Sequence, residues 1–259
     1  MAMILASSRD GVGTIVFNRP EKRNSFSAAM LDEFIAALNG FKSDGIRVVV
    51  VRADKEAKVW SAGLDIGELP TPGKDPLAYN HPIEVALRAV QHLPAPVIAM
   101  VEGGVWGAAC DLCLTCDILI GAPSASFAIT PAKVGVPYNS SGILHFLNVA
   151  GVRIAKEMFF TAAPIGAERA LAVGILNHLV PVDRLEAFTY EMAARIAENS
   201  PLAISVIKEQ LRLLAGSFPL NPETFEKIQS LREKAFDSAD YLEGTKSFFE
   251  RRKPRFTGK

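Results

Sequence analysis

The chain has 259 residues, 49% hydrophobic and 22% charged, and this balance excludes global disorder and predicts one large domain or a body with an appendage. Its 28 basic and 28 acidic residues cancel to a formal net charge of zero, and without a basic block no nucleic-acid partner is expected. The longest uncharged stretch, 134–152, contains a proline, asparagines and glycines, so no membrane span is expected.

The N-terminal half alternates short β-type runs with helical runs. Ser27 is a predicted N-cap for a helix that reaches about Phe41, because apolar side chains recur on one face. Strands are predicted where β-branched or apolar residues run together, at 13–17, 47–52, 96–101 and 117–121. All but the first of these strands are almost wholly apolar, as expected of strands that are covered on both faces.

Helical patterns dominate after residue 140. Pro201, directly after Ser200, is a favourable helix start. Helices are predicted at about 140–162, 167–173, 183–198, 201–215, 222–236 and 239–251. Residues 68–82 contain four prolines and are interpreted as a surface loop that covers a site. The sequence therefore predicts an α/β body followed by a helical C-terminal part.

Three cysteines lie close together, at Cys110, Cys113 and Cys116. An odd number on one segment cannot build a disulfide framework, and the further cysteine that an iron–sulfur run requires is missing. We expect three reduced thiols on the buried face of a helix. Reduced thiols, and a start at residues 1–6 that lacks the features of a secretory signal, favour a cytoplasmic location.

Familiar catalytic motifs are missing from the sequence. It has no G-x-S-x-G elbow, no Walker loop and no H-E-x-x-H pair, and no metal site is predicted. The four histidines are scattered, and each is interpreted as structural or exposed: His81, His92, His145 and His178. The chemistry is therefore expected to depend on main-chain groups and on few side chains.

Two segments place small residues at the end of a predicted strand. Residues 60–66 follow the strand at 47–52, and residues 101–111 follow the strand at 96–101 and open a helix near Trp106 or Gly107. Small residues let a ligand reach main-chain N–H groups, and the first N–H groups of a helix are unpaired. Two such N–H groups from different loops form an oxyanion hole. The alternative interpretation is a pair of tight turns between packed elements.

These segments together resemble the crotonase superfamily of enoyl-CoA hydratases and isomerases. The pattern A-G-x-D-[IL] at 62–66 precedes the glycine-rich turn, and further similar stretches lie at 18–26, 116–117, 166–174, 179–182 and 248–256. The resemblance implies an α/β fold, a spiral of ββα units over residues 1–200, with a helical trimerisation region over 201–259. It also implies an acyl-CoA substrate, no cofactor, no metal, and assembly as a homotrimer or a dimer of trimers.

The same resemblance implies roles for individual residues. The N–H groups of Leu64 and Ala108 are expected to form the oxyanion hole that holds the thioester oxygen. Main-chain contacts to coenzyme A are expected from Ala62, Gly63, Leu64, Asp65 and Ile66. Thr130 is expected to line the acyl pocket. The basic side chains of Lys22, Arg23 and Arg251 are candidates for phosphate contacts, the alternative being a solvated charged surface.

The reaction depends on carboxylates that this chain lacks. Hydratases of the family use two glutamates to position and activate water. The first matches Asp111, one methylene shorter, and the second falls near Thr130, where no carboxylate is present. Without the pair, the chain is a poor candidate for water addition. Further stretches resemble the methylmalonyl-CoA decarboxylase branch of the superfamily, at 59–63, 68–70, 73–77, 100–107, 130–131, 135–139 and 170–178.

Decarboxylation suits this set of residues. Loss of carbon dioxide from a malonyl-type thioester leaves the enolate that an oxyanion hole stabilises, so no base is needed to create it. The resemblance implies that Tyr138 hydrogen-bonds the substrate carboxylate; otherwise Tyr138 is a packing residue whose hydroxyl is satisfied elsewhere. Two other functions stay open: a hydratase or isomerase that uses Asp111 alone, and a non-catalytic acyl-CoA-binding or protein-binding member of the fold.

Overall fold

The computed structural model describes residues 2–55, 57–69, 75, 77–216 and 222–257. Its strands and helices are, in chain order, β1 Ile4–Arg9, β2 Val12–Phe17, α1 Ala28–Ser43, β3 Val48–Ala53, β4 Val59–Ser61, α2 Pro82–Gln91, β5 Val97–Val101, β6 Gly104–Trp106, α3 Ala108–Thr115, β7 Ile118–Gly121, β8 Ser126–Ala128, α4 Ser140–Thr161, β9 Ile165–Gly166, α5 Ala167–Ala172, β10 His178–Leu179, α6 Val182–Ala197, α7 Pro201–Ala215, α8 Pro222–Phe236 and α9 Ala239–Phe249. Short 3₁₀ helices lie at Pro20–Lys22, Ile66–Glu68 and Pro131–Val134.

Two sheets form the N-terminal body. The larger has the strand order β1-β2-β3-β5-β7-β10, with β1 antiparallel to β2 and the remaining pairs parallel. The smaller has the order β4-β6-β8-β9. Successive strand pairs β3-β4, β5-β6 and β7-β8 each contribute one strand to each sheet, and a helix follows each pair. This repetition is the spiral of ββα units that the resemblance implies.

The central strands are apolar because both faces of the larger sheet are covered. Val49 and Val51 pack into the main core with side chains of α1 and α2. Val48 and Val50, which point to the opposite face, pack with α6 residues such as Leu185. The layers therefore confirm the expected α/β arrangement, and they place the carboxyl ends of β4, β6 and β8 next to one another.

Most predicted elements are present. The four predicted strands lie within one or two residues of β2, β3, β5 and β7, and Ser27 caps α1 by accepting a hydrogen bond from the Met30 N–H at 3.2 Å. The C-terminal helices also match, although Gly151 interrupts α4 with a φ of 73°. Sequence analysis missed β1, α2 and the smaller sheet. Strands of two or three residues are too short to show a period, and β1 is mostly exposed.

The three cysteines are buried free thiols, as predicted. Cys110 and Cys113 lie on α3 and Cys116 is its C-cap residue. Burial raises the pKa of each thiol, so all three are protonated and unreactive. Among the described helices, none combines the length and apolar character needed to cross a membrane. The described residues also contain no cluster of His, Cys, Asp and Glu side chains suited to a metal ion.

Candidate active site

A cavity of about 70 Å³ lies where the two glycine-containing loops meet. It is lined mostly by apolar groups: Ala62, Leu64, Ile66, Leu69, Leu77, Gly107, Ala108, Thr130, Pro131, Val134, Val136 and Tyr138. Leu69 and Leu77 belong to the loop at residues 68–82 that is predicted to cover the site. Residues 70–74 and 76 of that loop lie outside the described residues.

The first loop is fixed on both sides of Leu64. The Phe26 N–H donates to the Gly63 carbonyl at 2.7 Å, and the Asp65 N–H donates to the Phe26 carbonyl at 2.9 Å. The Leu64 N–H has no acceptor among the residues that the structure describes. Gly63 has a φ of +82°, and a Cβ at this position would lie 2.9 Å from the Ala108 nitrogen. Only glycine allows the two loops to approach this closely.

The second loop ends at the first residue of α3. Gly107 is the N-cap, and its N–H donates to the Ala128 carbonyl at 2.8 Å. Ala108 follows as the first helical residue, where an N–H has no intrahelical acceptor and the helix dipole is positive. Leu64 and Ala108 therefore both line the cavity, and within the described part of the chain neither of their N–H groups has an acceptor. This is the donor arrangement that an oxyanion hole requires.

Tyr138 connects the cavity to a buried polar cluster. Its hydroxyl donates to Asp111 Oδ2 at 3.1 Å, and the other carboxylate oxygen, Oδ1, lies 2.5 Å from His145 Nδ1. The Asp111 side chain is only 3% exposed and that of His145 is 16% exposed. Asp111 therefore lies behind Tyr138 rather than in the cavity lining, with a hydrogen-bond donor at each oxygen.

A second buried carboxylate holds the chain that follows Tyr138. Glu84 of α2 accepts hydrogen bonds from Asn139 Nδ2 at 2.5 Å and from Ser141 Oγ at 3.0 Å. Gly142, in the first turn of α4, lets that helix approach the cluster, since an added Cβ would lie 2.7 Å from Asp111 Oδ2 and would overlap the Tyr138 ring. These contacts fix the direction of the Tyr138 side chain.

The electrostatics of the cluster favour a neutral phenol and a charged imidazole. Burial raises the pKa of Tyr138, and the negative charge of Asp111 raises it further, so the hydroxyl keeps its proton. Burial lowers the pKa of His145, but the hydrogen bond to Asp111 and its charge raise it more, so the net shift is upward. Burial also raises the pKa of the Glu84 carboxyl.

The structure brings most of the predicted site residues together. Ala62, Leu64, Ile66, Ala108 and Thr130 line the cavity, as does Tyr138, whereas Gly63 shapes the turn behind it. The Tyr138 hydroxyl, which is predicted to hydrogen-bond a substrate carboxylate, bonds to Asp111 in the structure.

Three charged candidates for contacts to coenzyme A do not line the cavity. Asp65 caps the 3₁₀ helix at Ile66–Glu68 and pairs with Arg19 at 3.1 Å. Arg23 is exposed, and its carbonyl accepts a hydrogen bond from the Ala62 N–H at 3.0 Å, so it lies beside the first loop. Arg251 is exposed just after α9, and in the described part of the chain it is not a lining residue of the cavity.

Sequence analysis missed the partners of Asp111. His145 was interpreted as structural or exposed, and Glu84 was not considered. No spacing links α2, α3 and α4, so only the packing of the three helices reveals the cluster. The one available signal was that Glu84 falls on the buried face of α2, beside Ile83 and Leu87, where an unpaired carboxylate is rare.

Comparison with known proteins gives consistent matches. Residues 7–259 match the model of the enoyl-CoA hydratase/isomerase family. The chain is 47% identical to methylmalonyl-CoA decarboxylase of Escherichia coli K12, over 95% of each protein. It is also 31% identical to the human enoyl-CoA hydratase domain-containing protein 3, over 96% of this chain and 82% of the human one.

Solved structures of methylmalonyl-CoA decarboxylases also match this chain. A methylmalonyl-CoA decarboxylase in complex with 2-nitronate-propionyl-CoA superimposes with a TM-score of 0.97 at 46% identity, over 99% of each chain. Another methylmalonyl-CoA decarboxylase, complexed with 2S-carboxypropyl CoA, also gives a TM-score of 0.97, at 45% identity over 100% of this chain and 99% of the other. With its paired loops and its repeated ββα units, this chain belongs to the enoyl-CoA hydratase/isomerase family.

Proposed function

We propose that this protein decarboxylates methylmalonyl-CoA, or a similar short malonyl-type CoA thioester, to the corresponding acyl-CoA. One observation carries the proposal: Leu64, Ala108 and Tyr138 line the same cavity, the N–H groups of the first two have no acceptor among the described residues, and no described carboxylate lines it. The similarity to two decarboxylases solved with CoA ligands supports the same reaction.

The reaction needs little from the protein beyond orientation and charge stabilisation. The N–H groups of Leu64 and Ala108 hold the thioester oxygen, and Tyr138 donates a hydrogen bond to the substrate carboxylate. The bond between the α-carbon and this carboxylate breaks, carbon dioxide leaves, and the electron pair of the bond forms the enolate. The oxyanion hole stabilises the negative charge on the enolate oxygen. Water then protonates the α-carbon, and the acyl-CoA product is complete.

Coenzyme A is held through main-chain and basic groups in this proposal. Residues 62–66 contact the adenine and pantetheine parts through their backbone, and Thr130 lines the acyl pocket. Lys22 and Arg23 are exposed next to the first loop, where their charges suit phosphate groups. Arg251 is proposed to contact a phosphate in the assembled protein. Neither a cofactor nor a metal ion takes part in the proposed reaction.

We also propose that residues 1–200 form the catalytic core and that residues 201–259 assemble it into a homotrimer or a dimer of trimers. The helical region supports this because it exposes large apolar side chains: Leu202, Val206, Ile207, Leu211, Leu214, Leu231, Leu242, Phe248 and Phe249. Exposed apolar surface of this extent is typical of an interface. Reduced buried cysteines are consistent with the cytoplasmic location that we propose.

A pair of assays tests the reaction. Purified protein is incubated with methylmalonyl-CoA while carbon dioxide release is followed, and separately with crotonyl-CoA while thioester absorbance is followed. We expect rapid release of carbon dioxide and negligible hydration. Rapid hydration of crotonyl-CoA would instead support a hydratase or isomerase that uses Asp111 alone. Binding of both thioesters without turnover would indicate a non-catalytic acyl-CoA-binding protein.

A further inference from the structure

The polar cluster behind Tyr138 takes no part in the reaction as proposed above. Asp111 of α3 is its centre, with the Tyr138 hydroxyl 3.1 Å from Oδ2 and His145 Nδ1 2.5 Å from Oδ1. Tyr138 alone of these three side chains lines the cavity. The cluster therefore influences a bound substrate through the Tyr138 hydroxyl.

The Tyr138 hydroxyl has one proton and two competing acceptors. In the structure the proton points to Asp111 Oδ2. A substrate carboxylate at Tyr138 needs the same proton, because a carboxylate can only accept hydrogen bonds. The substrate carboxylate also places a second negative charge beside this hydroxyl, on the side opposite Asp111. In a buried site with a low dielectric, two such charges repel strongly unless a positive charge balances one of them.

We propose that His145 is a positioning residue that, as an imidazolium, balances the charge of Asp111 and so allows the Tyr138 hydroxyl to turn to the substrate carboxylate. The proposal rests on the decarboxylase function proposed above. His145 does not touch the substrate and does not transfer a proton in the reaction. It acts on the carboxylated substrate through Asp111 and Tyr138 in turn.

The groups that surround His145 support a charged ring. Asp111 of α3 and Glu84 of α2 are the charged side chains whose electrostatic interactions raise its pKa, and the hydrogen bond to Asp111 raises it further. Gln91 Nε2 lies 2.8 Å from His145 Nε2, so the amide as placed donates to a neutral ring nitrogen, and an imidazolium requires the amide to turn so that its oxygen accepts the second N–H. Thr115 Oγ1 lies 3.4 Å from Nδ1 and is uncharged.

The variant His145→Gln separates a charge effect from a structural one. Glutamine retains an N–H donor but has no charge. The measurements are kcat/KM for methylmalonyl-CoA and the inhibition constant of propionyl-CoA, the same thioester without the carboxylate. We expect kcat/KM for methylmalonyl-CoA to fall by about tenfold or more, which is the free-energy equivalent of about one pKa unit. The inhibition constant of propionyl-CoA is expected to change by less than about twofold. A merely structural role would weaken both ligands equally and would contradict the proposal.

Two further measurements do not depend on that variant alone. In the wild type, the ratio of the methylmalonyl-CoA KM to the propionyl-CoA inhibition constant is expected to rise as pH rises through the pKa of His145, and a flat ratio would overturn the proposal. The double variant His145→Gln/Asp111→Asn removes both charges. We expect it to recover kcat/KM several-fold over His145→Gln, since contacting residues are non-additive. Losses that multiply would count against the charge balance.

The outcomes also distinguish this proposal from the function on which it rests. Wild-type protein that releases no carbon dioxide from methylmalonyl-CoA would refute the decarboxylase function itself. Wild-type protein that is active, with a His145→Gln variant that is folded and equally active at every pH, would refute only the role of His145.

Discussion

At the residue scale, one hydroxyl joins the cavity to the protein interior. Tyr138 is 8% exposed and its ring packs against Phe146 and Phe159, with centroid distances of 6.3 and 5.2 Å. The aromatic contacts hold the ring, while Asp111 orients the hydroxyl. The packing role and the proposed catalytic role of Tyr138 are therefore compatible, because different atoms of the side chain serve them.

The variant Tyr138→Phe tests the catalytic role. Loss of a hydrogen bond to a charged group costs about 1.5–3 kcal/mol, so we expect kcat for decarboxylation to fall by more than about tenfold. The ring contacts remain and propionyl-CoA affinity is expected to change little, whereas loss of the hydrogen bond to the buried Asp111 is expected to lower the free energy of unfolding by about 1–3 kcal/mol. The measurement is steady-state kinetics with methylmalonyl-CoA. An unchanged kcat would show that the hydroxyl does not act on the substrate.

The variant Asp111→Asn separates decarboxylation from hydration. A decarboxylase does not need Asp111 to create its enolate, whereas a hydratase that uses this residue alone needs it as acid and base. General acid–base catalysis contributes about 10²–10⁴-fold to the rate of a step that depends on it. Because decarboxylation does not depend on Asp111, we expect Asp111→Asn to retain at least about a tenth of the decarboxylase activity. The assay is carbon dioxide release. A folded variant without activity would favour the hydratase interpretation.

At the element scale, the start of α3 and the start of α4 determine the site. Helix α3 begins at Ala108, so its first free N–H group is at the cavity. Helix α4 begins at Ser140, two residues after Tyr138, and the Asn139 side chain caps it by accepting a hydrogen bond from the Gly142 N–H at 3.1 Å. The position at which each helix begins therefore decides which groups reach the substrate.

The variant Ala108→Pro removes the N–H group that we propose as the second donor of the oxyanion hole. Proline has no N–H, yet it is tolerated at the first position of a helix, where Ala108 lies. Loss of one donor costs about 3–4 kcal/mol of transition-state stabilisation, so we expect kcat to fall by about two to three orders of magnitude. The control Ala108→Gly keeps the N–H and should have a mild effect. Equal activity of two folded variants would exclude Ala108 as a donor.

The variant Gly142→Ala tests how closely α4 must approach the cluster. Its methyl group would meet the Tyr138 ring, Asn139 and Asp111, and we expect a loss of about 1–3 kcal/mol in the free energy of unfolding. Gly40 of α1 is a matched helical glycine with nothing within 4 Å of the added Cβ. Gly40→Ala should stabilise by about 0.5–1 kcal/mol. Thermal unfolding measures both, and equal effects would contradict the close packing.

At the scale of the whole molecule, the buried ion pair couples stability to pH. The pKa of His145 in the folded chain lies above its ordinary value of 6.5, so the folded state binds the proton more tightly than the unfolded state does. The resulting stabilisation is fully present below pH 6.5 and is lost as pH rises through the folded pKa. Burial also raises the pKa of the Glu84 carboxyl. Glu84 therefore lowers the stability of the fold as pH rises above its ordinary pKa of 4.5.

We therefore expect the difference in thermal midpoint between wild type and His145→Gln to shrink as pH rises from 6.5 through the folded pKa of His145, because both chains then have a neutral residue at this position. The measurement is thermal unfolding at a series of pH values and constant ionic strength. The exposed pair of Arg169 and Glu157 provides a control, since Arg169→Gln should give a difference without this pH dependence. A difference that stays constant over the range would show that His145 is not charged in the folded protein.

The family, most strands and helices, and the two glycine-containing loops beside the cavity follow from the order of the residues alone. These are local features: β-branched runs, helix caps and glycines with positive φ such as Gly63 and Gly107 depend on neighbouring residues. In contrast, the pairing of Asp111 with His145 and its position behind Tyr138 follow only from the packing of the folded chain. These side chains come from α3, α4 and the loop between β8 and α4, and no sequence period records the packing of separate elements.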